Sequence, residues 1–165
     1  MKIEPQRDNW LFTTMKKMLA SRLGSWLFRP TLHLLDRAAL KLSHGKHTFT
    51  SLLGGVPIIT LTTTGAKSGK SRSVPLVGLP HEGSIILIAS NFGQSFHPAW
   101  YLNLKAHPAV TVTYQDRSEP YQAREVHGEK RDQCWQIAVD CYPGYDLYQE
   151  RAGSRKIPVV LLDPA

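Results

Sequence analysis

From Pro57 onward the chain is a series of short runs rich in β-branched and aromatic residues, and this texture limits its fold more than any other feature. Pro57–Thr64 (PIITLTTT), Ser73–Leu79, Ser84–Ser90, Ala109–Tyr114 and Pro120–His127 each have the length and composition of a strand. His81-Glu82-Gly83 divides the second from the third, and Gln115–Ser118 the fourth from the fifth, with residues that favour tight turns. Lys156–Leu162 (KIPVVLL) supplies a last strand. A short helix over roughly His97–Ala106, opened by Pro98, lies between the third and fourth strands. A longer one, Glu129–Tyr142, follows the fifth and carries Cys134, Trp135, Ala138 and Cys141 among its apolar positions. Close strand pairs with one inserted helix predict a mainly β, α+β architecture: an antiparallel sheet with flanking helices, curled into a small barrel.

Residues 1–45 have a different texture. From Trp10 to Phe28 apolar residues recur at Phe12, Met15, Leu19, Leu23 and Trp26, with Lys16, Lys17 and Arg22 largely on the other face, which predicts a basic amphipathic helix. Pro30 ends it. Thr31 can cap a second helix, with Leu32, Leu35, Ala39 and Leu42 as its stripe, before Gly45 stops it. The chain therefore divides into an arm, 1–45, and a domain, 46–165. The arm either packs on the domain or on a second copy in a homodimer, or lies on a membrane surface through residues 10–28. No apolar run is long enough to span a bilayer, and the break at Thr13-Thr14 and Lys16-Lys17 removes the apolar core of a signal peptide. The expected location is cytoplasmic, at the cytoplasmic membrane face if the arm binds lipid.

The formal charge of +7 is unevenly spread. Residues 1–50 hold nine basic and three acidic side chains, and residues 51–165 eleven and ten. Lys67, Lys70 and Arg72 fall in six residues without an acid, so the remainder of the domain is at −2. A broadly basic nucleic-acid surface is excluded by that remainder, and the Lys67–Arg72 segment has no aromatic on which a base would stack. Cys134 and Cys141 are two helical turns apart, too far for a disulfide, and no zinc-type spacing accompanies them; they read as reduced thiols and no metal site is expected. His81, His107 and His127 adjoin turn or strand-end signals and read as exposed.

Three polar clusters remain. Thr64-Gly65-Ala66-Lys67-Ser68-Gly69-Lys70-Ser71 looks like a phosphate-binding P-loop but lacks its first glycine, and Pro75 with β-branched neighbours stands where a helix must begin. What survives is a turn between strands, with glycines that let amides approach an anion and cations that suit phosphate. Ala89-Ser90-Asn91-Phe92-Gly93 closes an apolar strand, as residues on a ligand rim often do. Trp100 and Asn103, three apart, share one helical face. Tyr142, Tyr145 and Tyr148 recur at steps of three, so that in continuous helix their rings line one edge.

Taken in order, LTTTGAKSGKSRSVPL, IASNFGQSFHPAWYLNLKAHPAVTV and YPGYDLYQERAGSRKIPVVLL resemble the deazaflavin (F420)-dependent nitroreductase family, whose members are split β-barrels of the kind found in FMN-binding proteins. The resemblance runs from about Pro57 to Leu162. It implies that Lys67, Ser68, Gly69, Lys70 and Arg72 would hold the phosphate and acidic tail of coenzyme F420. Pro75, Leu76, Ala89, Ser90 and Asn91 would lie along the deazaflavin, supported by Trp100 and Asn103. Tyr142 and Tyr148 would face the substrate, with Tyr145 or Ser90 as proton donor. Relatives commonly carry Gly or Lys where this chain has Asn91-Phe92, which puts Phe92 on the substrate side. The expected activity is hydride transfer from F420H2 to an electron-poor small molecule: a quinone, enone or nitroaromatic. The alternatives are the same barrel holding FMN or haem, or an F420 carrier without turnover.

Overall fold

The structure is a computed structural model and describes residues 57–165. The arm, its two expected helices and the joint up to Gly55 lie outside the described residues. The elements are β1 (Ile58–Thr64), β2 (Ser71–Val77), β3 (Leu79–His81), β4 (Ser84–Ile88), a single 3-10 turn (Asn91–Gly93), α1 (Ala99–Ala106), β5 (Ala109–Tyr114), β6 (Arg117–Val126), α2 (Gly128–Cys141), α3 (Gly144–Arg151) and β7 (Val159–Pro164).

All seven strands form one antiparallel sheet in the order β2-β1-β5-β6-β7-β4-β3. Its two outermost strands, β2 and β3, are consecutive in the chain and separated by Gly78 alone. Laid flat, the sheet would hold them roughly 29 Å apart at about 4.8 Å per strand, while the step from Val77 to Leu79 spans at most about 7 Å. The sheet must therefore curl until its edges meet, which gives the expected barrel. Gly78 permits the bend: its N–H donates to the Pro57 carbonyl at 3.0 Å, and a Cβ would lie 2.9 Å from Ile59 Cγ2.

Alternation then sorts the core. Ile59, Leu61, Ile85, Leu87, Val112, Val160 and Leu162 point into the barrel, where Trp100, Tyr101 and Leu104 of α1 plug it. On the opposite face of β4 and β7, Ile86, Ile88, Val159 and Leu161 are buried by α2 and α3 through Cys134, Ala138, Tyr145 and Tyr148. Burial on both faces is why these two strands read as unbroken apolar runs.

Several boundaries shift, each for a local reason. The predicted second strand starts earlier, at Ser71, and is cut at Gly78 into β2 and β3. β6 begins at Arg117 rather than Pro120 because Gln115-Asp116, with Gln115 at φ 53°, is enough to reverse the chain. β4 stops at Ile88 and β7 starts at Val159: the Ala89 N–H still reaches the Pro158 carbonyl at 3.0 Å, but Pro158 has no N–H to return and the Ala89 carbonyl turns to the Arg155 side chain. The tyrosine segment is not one helix: Tyr142 caps α2 and the chain restarts after Pro143. Cys134 is buried, Cys141 half-buried, and both are free thiols. His81 departs from expectation: it is half-buried, with Nε2 3.3 Å from Lys130 Nζ, which also donates to Glu82 at 3.1 Å. No helix among the described residues is long and apolar enough to cross a membrane.

Candidate functional site

The turn joining β1 to β2 closes on itself, Gly65 N–H donating to the Lys70 carbonyl at 2.9 Å and Gly69 N–H to the Gly65 carbonyl at 2.8 Å. Asn103 of α1 ties it to the barrel. Its Nδ2 donates to Thr63 Oγ1 at 3.0 Å and its Oδ1 accepts the Ala66 N–H at 3.0 Å, so one side chain fixes the last inward residue of β1 and the first of the turn. Lys67, Ser68, Gly69, Lys70 and Arg72 are exposed. Among the described residues none of these three cations meets a carboxylate, and the amides of Lys67 and Ser68 find no protein acceptor. Thr63, Ala66, Lys67, Ser68, Arg72, Trp100 and Asn103 border a cleft of about 560 Å³. Cationic side chains and unspent amides on one wall, with an indole on another, suit an anion attached to a flat ring.

Pro75 and Leu76 are half-buried on β2, and Leu76 packs against the barrel interior. Ala89, Ser90 and Asn91 lie on the loop after β4, whose geometry is unusual. Asn91, Phe92 and Gly93 have φ of 48°, 56° and 76°, three successive left-handed residues. Asn tolerates this region, whereas Phe pays about 1–2 kcal/mol to enter it. Gly93 is required by proximity as well, because a Cβ there would sit 2.7 Å from the Tyr148 carbonyl oxygen on α3. The Asn91 side chain donates to the Phe96 carbonyl at 3.1 Å. From below, Arg155 donates Nε to the Gln94 carbonyl at 2.8 Å, Nη1 to the Ala89 carbonyl at 3.2 Å and Nη2 to the Ser90 carbonyl at 2.7 Å.

The three tyrosines do meet, although through a helix break. The Tyr142 and Tyr148 phenol oxygens are 3.1 Å apart, and Tyr142 and Tyr145 stack edge to face at 5.4 Å between centroids. Phe92 abuts Tyr148 edge-on at 6.1 Å. Tyr145 is 7% exposed, and burial pushes its phenol above the ordinary range; burial does the same to Tyr142, reinforced by Tyr148. These phenols keep their protons at any physiological pH.

Most of the predicted residues thus fall into two groups, while Leu76 and Ala89 belong to the barrel interior and Pro75 is half-buried on β2. Lys67, Ser68, Arg72, Trp100 and Asn103 surround the cleft, with Gly69 and Lys70 in the same turn. Phe92, Tyr142, Tyr145 and Tyr148 form an aromatic cluster against α3, adjoining Ser90 and Asn91. Sequence reasoning missed Thr63 and Arg155. Thr63 had a legible signal, since it shares the inward parity of Ile59 and Leu61 and a buried hydroxyl needs a partner. Arg155 had a weaker one: a cation directly before an apolar strand must bury some of its length.

Comparison with known proteins adds four findings. The model of the family described as F420H(2)-dependent quinone reductase matches residues 37–164. An F420H(2)-dependent quinone reductase of Mycobacterium tuberculosis is 35% identical over 112 residues, 66% of this chain and 74% of the relative. Among solved structures, an F420-H2 dependent reductase is 45% identical with a TM-score of 0.60, covering 65% of this chain and 94% of its own. Another, described as a domain-swapped dimer, is 38% identical with a TM-score of 0.62, covering 84% and 98%.

Proposed function

The chain belongs to the F420H(2)-dependent quinone reductase family, and from that premise we propose how its residues divide the work. It is an oxidoreductase with coenzyme F420 as its cofactor and a quinone as the acceptor class; FMN and haem, the alternatives for this barrel, are displaced by the family. When bound, reduced F420 supplies a hydride from the carbon that replaces the central redox nitrogen of a flavin. The protein need only bind, align and protonate.

In this reading Lys67, Ser68, Gly69, Lys70 and Arg72 hold the phosphate and the acidic tail. The observation that carries it is the turn itself: among the described residues its three cations meet no carboxylate and the amides of Lys67 and Ser68 meet no acceptor. Asn103 keeps the turn against α1, and Trp100 closes the cleft. Pro75, Leu76, Ala89, Ser90 and Asn91 lie along the deazaflavin. Phe92, Tyr142 and Tyr148 border the acceptor, whose flat apolar ring suits their edges. Tyr145 is the proton donor, from its place between the Tyr142 and Tyr148 rings; Ser90 is the second candidate, from its place at the end of β4.

Fluorescence titration of F420 tests the assignment. Lys67→Ala and Arg72→Ala should each raise Kd roughly tenfold or more, as expected for loss of one charge-assisted contact. Wild-type affinity in both variants would sink the phosphate assignment. For the acceptor side, Tyr145→Phe should bind F420 normally and turn over quinone slowly; unchanged turnover would move the proton to Ser90. We also propose a homodimer, in keeping with the dimeric relative, which equilibrium sedimentation would test. The amphipathic pattern over 10–28 supports contact with anionic membrane, where quinones reside. A chain lacking residues 1–45 that binds anionic vesicles as well as the whole protein would remove that proposal.

A further inference from the structure

The loop after β4 is held by a residue the catalytic reading does not use. Arg155 spends its guanidinium on three carbonyls of one loop, those of Ala89, Ser90 and Gln94, at 3.2, 2.7 and 2.8 Å. Its backbone is fixed in turn by Gln149 of α3, whose Nε2 donates to the Arg155 carbonyl at 3.0 Å and whose Oε1 accepts the Ile157 N–H at 2.9 Å. Further along the same loop, Gly93 is pressed against the Tyr148 carbonyl and Arg151 Cβ, both on α3. The loop is thereby gripped once by the helix that carries Tyr145 and Tyr148 and once by the segment that follows it, which Gln149 ties back to that helix.

Left-handed backbone at Asn91 and Phe92 persists only where the surroundings over-determine it. A planar fork bridging three carbonyls does that; a lysine, with one point donor on a flexible stem, does not. We propose that Arg155 is a positioning residue, stapling the Ala89–Gln94 loop to α3 so that Ser90 and Asn91 keep a fixed relation to the tyrosines. The functional part rests on the reading that this loop flanks the deazaflavin; the mechanical part does not.

The two parts are tested in order. In the protein without cofactor, Arg155→Ala should speed backbone amide exchange at Gly93 and Gln94, whose N–H groups bond the Ser90 and Asn91 carbonyls, while exchange in β1 and β5 stays unchanged. Added ethylguanidinium should restore protection. Arg155→Lys, which keeps the charge and tolerates folding better, should show the same loosening in smaller degree. With F420 and a quinone, Arg155→Ala should lower kcat by about a hundredfold, the order expected when a reacting group is misplaced by about 1 Å, while F420 Kd stays within about threefold because the phosphate turn is intact. Unchanged exchange in both variants overturns the staple. Faster exchange with unaltered kcat overturns the positioning role. If wild-type protein binds no F420 while loop exchange responds as expected, the staple stands and the cofactor reading fails.

Discussion

The turn between β1 and β2 presents three exposed cations and is tied to α1 by one side chain, Asn103, whereas the loop after β4 is left-handed at three successive residues and held by three bonds from Arg155. The first suits recognition of a flexible, charged, solvated group, since long cations on a short tether can follow an anion. The second suits placement, because backbone forced into a rare conformation by its neighbours has few alternatives. On the proposed reading, binding strength and geometric accuracy fall to different loops, and substitutions that ought to affect only one can break that division.

The largest effect is expected at Gly93. Gly93→Ala combines a strained φ with a Cβ 2.7 Å from the Tyr148 carbonyl, and should destabilise the fold by about 2–4 kcal/mol in urea denaturation. A loss under about 0.5 kcal/mol, the range of ordinary surface changes, would show that the loop yields and is no placement device. Next, Asn103→Ala removes both bonds that hold the cationic turn, at a cost of about 1–2 kcal/mol by hydrogen-bond deletion, and F420 Kd should rise several-fold. If Kd stays at the wild-type value, the turn needs no tether. A salt titration follows: from 0.1 to 1 M the screening length falls from about 10 to 3 Å, so F420 affinity should fall several-fold while Gly93 amide exchange does not move. Parallel changes in the two would mean that the loops are not separate devices.

The smallest effect serves as a control remote from both loops. Asp163 accepts from Ser84 at 2.6 Å and from Arg124, and these contacts, Arg124 first, hold its carboxyl below the usual range. Its folded pKa is depressed, so the associated stability is present above the unfolded pKa and is lost as pH falls through the folded one. Both side chains are partly exposed, and solvent screening limits the contribution to under about 1 kcal/mol. Asp163→Asn should flatten the acid limb of stability below about pH 4, the ordinary Asp range, without changing F420 affinity. A shift in affinity would show that the far end of β4 communicates with its loop.

Much of this was legible before the structure. Strands stood out wherever one or both faces are apolar, and the cationic turn was marked by failing as a P-loop while keeping its glycines and charges. The edges of elements were less visible because they are decided by remote partners: β4 ends where its carbonyls turn to Arg155, sixty-five or more residues away in sequence. The separation of β2 from β3 falls at Gly78, where Ile59 of the paired strand β1 lies too close for a side chain, a cross-strand contact that the run of residues 73–79 does not reveal by itself. The tyrosine triad was expected on one helical edge, yet its rings converge because Tyr142 swings in from the end of α2. Spacing revealed that the three belong together but not how.

The place of β7 in the sheet carries a kinetic consequence. It is the last strand along the chain yet lies between β6 and β4, pairing Val126 with Val159 on one side and Ile85 with Leu162 on the other. Until it docks, β4 has only the short β3 as a ladder partner, and the sheet is split into a four-stranded piece and a hairpin. Pairings this distant in sequence form late, because loop closure must precede any reward from contact. The segment that brings β7 also brings Arg155. Completion of the barrel and setting of the loop after β4 should therefore be one event, and in pulse-labelled refolding the Gly93 amide should become protected together with those of β7, after the hairpin of β5 and β6.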